Sequence, residues 1–284
     1  MSDKLIDGKL VSKEIREIIR SKAAKIKEES SRVAGLAAVL VGEDPASQIY
    51  VRNKRKACED VGIYSEEHKL AESITQNELL ELINKLNNDK NINGILIQLP
   101  LPSHIDESLI LNSVAPDKDV DGFHPINAGY LFEGKPSFIP CTPHGIIKML
   151  EFYEIEIEGK NAVVLGRSNI VGKPASILLL QKNATVTICH SRTKDLAKIL
   201  SAADIIVAAI GRANFVKKDM VKKGAVVIDV GINRLETGKL AGDVDFTEVS
   251  KVCSYITPVP GGVGPMTITM LLWNTVLSLE KSIG

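Results

Sequence analysis

The chain has 284 residues, 44% hydrophobic and 25% charged, which suits one large or two medium soluble domains with a proper core. Lys plus Arg and Asp plus Glu number 35 each, so no overall charge argues for nucleic acid or an anionic membrane as partner. Aromatic residues make up only 4%, which argues against a base-stacking platform.

The opening "MSDKLIDGKLVSKE" carries charges throughout and has no apolar h-region, which excludes a secretory signal, and no apolar run approaches transmembrane length. Helical periodicity then covers 9–30, and "GLAAVLVG" (35–42) reads as a buried strand. "EDPAS" breaks it, and a helix through Tyr50 follows. An amphipathic helix is expected over 74–89 and another buried strand over 92–102, stopped by two prolines. This alternation implies a parallel sheet. "PDKDVDGFHPINAGYLFEGKPS" is polar and rich in turn residues, and reads as a domain junction. A second series opens with the helix "PHGIIKMLEFYE". Four apolar strands follow at 161–166, 184–190, 204–211 and 225–231, with helices at 171–182, 195–202 and 216–222. "YITPVPGGVGPMT" and a helix over about 266–281 close the chain. The fold class expected is α/β: two α/β domains, the second a doubly wound Rossmann-like parallel sheet, with a cleft between them.

Four cysteines (Cys58, Cys141, Cys189, Cys253) lie far apart without a CxxC, as reduced thiols of a cytoplasmic protein do. The five histidines form no metal-binding spacing, so no metal is expected. Asp117, Asp119 and Asp121 alternate before Gly122 like the first half of a calcium loop, but the twelfth position holds Ala128 where a bidentate Glu is needed. Calcium is rejected. Asp117 and Asp119 read as turn residues, and Asp121 as a carboxylate able to reach the cleft.

"VLGRSNIVGKP" leaves a strand and enters a helix, so Gly166, Arg167, Ser168, Val171 and Gly172 form a candidate pyrophosphate turn. It is not GxGxxG, since Ser168 stands where the second glycine belongs, and a plain βα turn is the alternative. The next strand ends "CHSRT", with Ser191 and Arg192 where a NAD-binding fold places an acid. Together with Arg167 they suit a ribose 2′-phosphate, hence NADP. "VPGGVGPMT" is a glycine-rich turn into a helix whose three glycines allow close approach to a flat ligand, a loop that simply reverses the chain being the alternative. Gln98 stands at the carboxyl edge of the first sheet, which in open α/β sheets faces the ligand. Pro100 and Pro260 both follow apolar residues at strand ends, and a cis bond at either would bring peptide groups to the ligand.

Tyr50, Lys54, Ala57, Cys58 and Val61 share one helical face, and Lys54 is its only charged member. On this stretch alone a snorkelling lysine at a core edge is the ordinary reading. Tyr-xxx-Lys beside a Rossmann-like half also suggests a short-chain dehydrogenase. Chain order speaks against that: there the glycine turn precedes the pair, whereas here Tyr50 precedes Gly166.

"YVRNKRKACEDVGI", "GILIQLPLP", "PDKDVDGFHPINAG", "IPCTPHG", "GRSNIVGKP", "DVGINR", "GDVDF" and "TPVPGGVGPMT", in this order, strongly resemble the bifunctional methylenetetrahydrofolate dehydrogenase/cyclohydrolase family over essentially the whole chain. The resemblance implies NADP-dependent oxidation of 5,10-methylenetetrahydrofolate to the 5,10-methenyl cation. Hydrolysis to 10-formyltetrahydrofolate follows, within one-carbon metabolism and purine biosynthesis. It implies Lys54 as catalytic lysine, Gln98 as the glutamine that holds it, Asp121 as the pterin carboxylate and Tyr50 as the stacking ring. Pro260, Gly261 and Gly262 would join them at the substrate, while Arg167, Ser191 and Ile232 would contact the cofactor. It further implies a folate-binding catalytic domain over 1–140 plus 266–284, an NADP-binding domain over 141–265, and a homodimer built through the latter. An alternative of another class is a dinucleotide-binding sensor whose folate domain is inactive.

Overall fold

A computed structural model describes residues 4–283. The chain divides into two compact units, one of Glu14–Cys141 with Ile268 to the end, the other of the chain up to Lys13 with Thr142–Thr267.

The first unit carries a three-stranded parallel sheet of β1 (Gly35–Val41), β2 (Tyr64–Leu70) and β3 (Gly94–Ile97), in the order β2-β1-β3. Every residue of β1 is buried, as a central strand with both faces covered must be. Helix α1 (Gly8–Ser30) precedes the sheet, and α2 (Pro45–Val61) and α3 (Gln76–Asn88) are its crossovers. Local chemistry sets their ends. Asp44 caps α2 by accepting from Ser47 N (2.7 Å), with Pro45 in the first turn, and Gly62 ends it with φ 78°. Thr75 and Glu78 form a reciprocal capping box at α3. Leu79, Ile83 and Leu86 of α3 pack on Ala37, Val39, Ile95 and Ile97 in one core.

Two short helices, α4 (Glu107–Ser113) and α5 (Pro125–Phe132), follow β3. The second lies inside the stretch read from sequence as a turn-rich junction. Its apolar residues make no stripe: only Asn127 and Leu131 are buried, while Ile126, Tyr130 and Phe132 are exposed.

The second unit begins with α6 (Cys141–Phe152) and holds a five-stranded parallel sheet of β4 (Asn161–Leu165), β5 (Thr185–Cys189), β6 (Ile205–Ala208), β7 (Val226–Asp229) and β10 (Tyr255–Ile256). A small antiparallel pair, β8 (Asn233–Arg234) and β9 (Leu240–Ala241), lies between the last two. The order β10-β7-β6-β4-β5 is doubly wound, with the first strand of the series in the interior and the second on its other side. Helices α7 (Gly172–Gln181) and α8 (Leu196–Leu200) connect it, and α9 (Phe246–Val249) precedes β10. The helix expected over 216–222 is instead a single 3-10 turn, Lys218–Met220, because Val216 is drawn into a bridge with Val244. The start of the chain closes this unit: Ile6 N donates to Ile256 O (3.0 Å). Helix α10 (Val263–Ile283) ends the chain. No helix among the described residues is long and apolar enough to cross a membrane.

Candidate active site

Lys54 projects from the inward stripe of α2, with Ala57, Cys58 and Val61 buried along the same face and Arg52, Arg55 and Lys56 exposed on the others. Its Nζ donates to Gln98 Oε1 at 3.1 Å. Gln98 is the first residue beyond β3 and is fixed at both ends. Its N–H donates to Val39 O (2.9 Å) and its Nε2 to Leu99 O (2.8 Å), which leaves the amide oxygen for the lysine. Burial holds the Lys54 ammonium below the ordinary lysine range, partly opposed by the Asp121 charge. Asp121 is pushed up to about 6, first by burial and then by Asp119, with Lys54 acting against both. Cys141, buried nearby, is raised well above an ordinary thiol by burial and by Asp121. Tyr50, one turn before Lys54, is 38% exposed, so its ring is open to stacking.

The loop that carries Asp121 is built by groups the sequence did not mark. Asp119 is no mere turn residue: it is buried and accepts from Phe123 N (3.1 Å), His124 N (2.8 Å) and Asn127 Nδ2 (2.8 Å). Asn274 of α10 donates to Val120 O (2.8 Å) and Ile139 O (2.9 Å), and Ser278 to Asp117 O (2.8 Å). The only signal for Asn274 was a polar residue inside the apolar run "LLWNTVL".

The remaining candidates lie in the second unit, at the carboxyl ends of its strands. Gly166 follows β4 with φ 131°, and a Cβ there would lie 2.2 Å from Ala209 O. A Cβ on Gly172 would lie 2.3 Å from Gly166 O. The turn is therefore as tight as a close-approach phosphate cradle must be, without the GxGxxG spacing. Ser168 Oγ accepts from Val171 N and Gly172 N (3.2 Å each), which satisfies two backbone donors at the start of α7. Leu165 of β4 pairs with Cys189 of β5, so Arg167 and Ser191, two residues on, leave neighbouring strands at the same level. Both are exposed, as is Arg192, and the run from His190 to Lys194 that leaves β5 holds no carboxylate. Ile232, 48% exposed, has its Cδ1 close to Gly264 at the start of α10. Pro260, Gly261 and Gly262 form the turn just before it, with Gly261 at φ 108°. The bonds Leu99–Pro100 and Val259–Pro260 are both cis, where the sequence pointed to one or the other.

Comparison with known proteins supplies the rest. Residues 6–121 match the sequence profile of the tetrahydrofolate dehydrogenase/cyclohydrolase catalytic domain, and residues 140–283 that of the tetrahydrofolate dehydrogenase/cyclohydrolase NAD(P)-binding domain. The Bifunctional protein FolD of Campylobacter concisus is 59% identical over 281 residues, covering 99% of both chains. The crystal structure of the bifunctional enzyme FolD from Campylobacter jejuni is similar at TM-score 0.96 and 57% identity, covering 98% of this chain and 99% of that one. That of Trypanosoma brucei N5,N10-methylenetetrahydrofolate dehydrogenase-cyclohydrolase, complexed with NADP cofactor and inhibitor, is similar at TM-score 0.94 and 40% identity, covering 98% of each.

Proposed function

The chain belongs to the tetrahydrofolate dehydrogenase/cyclohydrolase family, and from that premise we infer that it performs two successive reactions on one folate. It oxidises 5,10-methylenetetrahydrofolate to the 5,10-methenyl cation with NADP+, and it hydrolyses that cation to 10-formyltetrahydrofolate. The observation that carries the reading is the Lys54–Gln98 hydrogen bond of 3.1 Å beside Asp121.

The first reaction removes a hydride from the methylene carbon and leaves a cation spread over N5 and N10. Bound NADP+ supplies the hydride acceptor. The glycine turn at Gly166 and Gly172 fits its diphosphate, and Arg167, Ser191 and Arg192 supply donors for a 2′-phosphate where an acid would repel one. Gly166, Ser168, Val171, Gly172 and Ile232 complete that set. No proton leaves in this step, so Lys54 is needed there only to orient the folate.

The second reaction adds water to the methenyl carbon, and a proton must leave the attacking oxygen. Lys54 serves as the base. Burial favours its neutral amine, and the cationic substrate favours it further. Gln98 accepts one amine hydrogen and so holds the amine nitrogen in place, leaving its lone pair in one of the two remaining positions. Asp121, ionised above about pH 6, accepts from the pterin's N–H groups. Tyr50 stacks on the aminobenzoyl ring, and Pro260, Gly261 and Gly262 offer backbone to the folate. The sensor alternative needs a dismantled lysine site, and here Lys54, Gln98 and Asp121 are assembled in one unit.

Two further readings belong here. A homodimer through the nucleotide unit is supported by the edge strand β5 and by Ile188 (42% exposed) and Leu180 (57% exposed) beside it. A cytoplasmic location is supported by four free, buried cysteines. The decisive assay supplies methylenetetrahydrofolate with NADP+ or NAD+ and follows methenyl absorbance, its decay and NADPH. No methenyl formation with either cofactor would refute the reading.

A further inference from the structure

Seven hydrogen-bond donors converge on two aspartates that the proposed contacts do not use. Asp243, fully buried, accepts from Ile210 N (2.6 Å), Gly211 N (3.0 Å), Arg212 N (2.8 Å) and Asn233 Nδ2 (3.0 Å). Asp229, buried at the end of β7, accepts from Gly231 N (3.0 Å), Asp243 N (2.8 Å) and Val244 N (2.9 Å). The two interlock through glycines. A Cβ on Gly231 would lie 2.3 Å from Asp243 Oδ1, and one on Gly242 would lie 1.8 Å from Asp229 Oδ2. Each carboxylate rests on backbone that a glycine beside the other aspartate leaves bare.

The segments so tied are the ones that leave β6 and β7 at their carboxyl ends. In the order β10-β7-β6-β4-β5 the direction of winding reverses between β4 and β6, and ligands of such sheets sit outside that point. Gly166 flanks it from the β4 side, packed on Ala209 O, and the chain over 209–212 flanks it from the β6 side. A carboxylate suits the task because it is acceptor-only, with about four lone-pair sites. Without it three successive N–H groups would lack partners.

We propose that Asp243 is a positioning residue for the dinucleotide: it holds the chain after β6 and the chain after β7 in the shape the crevice needs to bind cofactor, and Asp229 locks it in place. The proposal takes the family's cofactor use as its premise. Two variants of the full chain test it. Asp243→Asn keeps one acceptor oxygen and turns an NH2 toward backbone donors, while Asn233→Ala removes one of the four donors and leaves the carboxylate. Readouts are the KM for NADP+, the NADPH dissociation constant by fluorescence titration, and hydrolysis of methenyltetrahydrofolate without dinucleotide. Hydrolysis is the control for the lysine site, because Lys54, Gln98 and Asp121 lie in the other unit, and urea unfolding of each variant reports folding. Asp243→Asn should raise the NADP+ KM and the NADPH dissociation constant by roughly tenfold or more, as loss of charge-assisted hydrogen bonds does. Hydrolysis and kcat at saturating NADP+ should change far less. Asn233→Ala should move both constants the same way, by about threefold. Unchanged constants in both variants overturn the proposal. So does a parallel loss of both activities in Asp243→Asn with no shift of either constant in Asn233→Ala, which would mark a residue that only supports the fold. A wild-type chain inactive on both folates would sink the proposed activity instead, and the NADPH titration would still read Asp243.

Discussion

At position 54 a charge that should cost burial energy is held inside a helix stripe, and the side chain's chemistry follows from that placement. An amine with lowered pKa is neutral in a larger fraction at any given pH than an ordinary lysine, and in the proposed reactions only the hydrolytic step needs a base. Lys54→Met keeps the length and removes the base. Cyclohydrolase activity should fall by roughly 10²–10⁴-fold, the usual worth of general-base catalysis, with a smaller fall in dehydrogenase activity. Assaying both reactions on one preparation decides it, since equal residual fractions would remove the separate role. Arg167 is the matching test on the cofactor side. One hydrogen bond to a charged group is worth roughly 1.5–3 kcal/mol, so NADP+ should be preferred over NAD+ by at least about tenfold in kcat/KM. Arg167→Ala should erase most of that preference and leave NAD+ use nearly unchanged. A wild type that uses both cofactors equally, or prefers NAD+, contradicts this reading of Arg167, Ser191 and Arg192.

The elements owe their positions to contacts that propensity alone would get wrong, and Gly8 shows it. It opens α1, where alanine in place of glycine ordinarily adds up to about 1 kcal/mol of helix stability. A Cβ on Gly8, however, would lie 1.8 Å from Gly262 O, in the turn proposed to meet the folate. Gly8→Ala should therefore destabilise the protein by about 1–3 kcal/mol in urea unfolding, as overpacking does. A variant as stable as the wild type would show that this approach is not tight. The same contrast sets what was legible in the sequence. Long periodic helices and fully apolar strands stood out, as in α1, α3, β1 and β4, because their burial pattern is their sequence pattern. β2, "YSEEHKL", did not, because it is a half-exposed edge strand with charges on both faces. β10 escaped because two residues carry no period. Lys54 was visible as a charge in an apolar stripe, and the edge proposed for a 2′-phosphate as a missing acid. Asp119, Asp243 and Asn274 were not, because their partners are mostly backbone groups that only the folded chain brings to them.

For the whole molecule, pH couples to folding through a few buried groups of opposite sign. Asp121 and Asp229 are held at about 6, chiefly by burial, above the ordinary 3.8. Between those values the native state keeps protons the unfolded chain has released, so their contribution is largest at low pH and is lost as pH rises through 6. His144 runs the other way. It is 8% exposed, and burial first, then the Lys148 charge, pulls its imidazole down to about 4 from 6.5. The unfolded chain takes up that proton below 6.5 while the native state refuses it until about 4, so stability is full above 6.5 and lost on acidification across this window. Linkage gives a loss of about 2 kcal/mol by pH 5, at about 1.36 kcal/mol per pKa unit. The carboxyl groups oppose it over the same range, so the wild-type curve by itself cannot isolate the histidine. His144→Gln can: it keeps a neutral polar side chain and deletes the titration, leaving Asp121 and Asp229 as they were. Urea unfolding at pH 7 and pH 5 should show the wild type losing about 2 kcal/mol more than the variant between the two. Parallel losses in the two proteins would mean that the imidazole already accepts its proton in the native state.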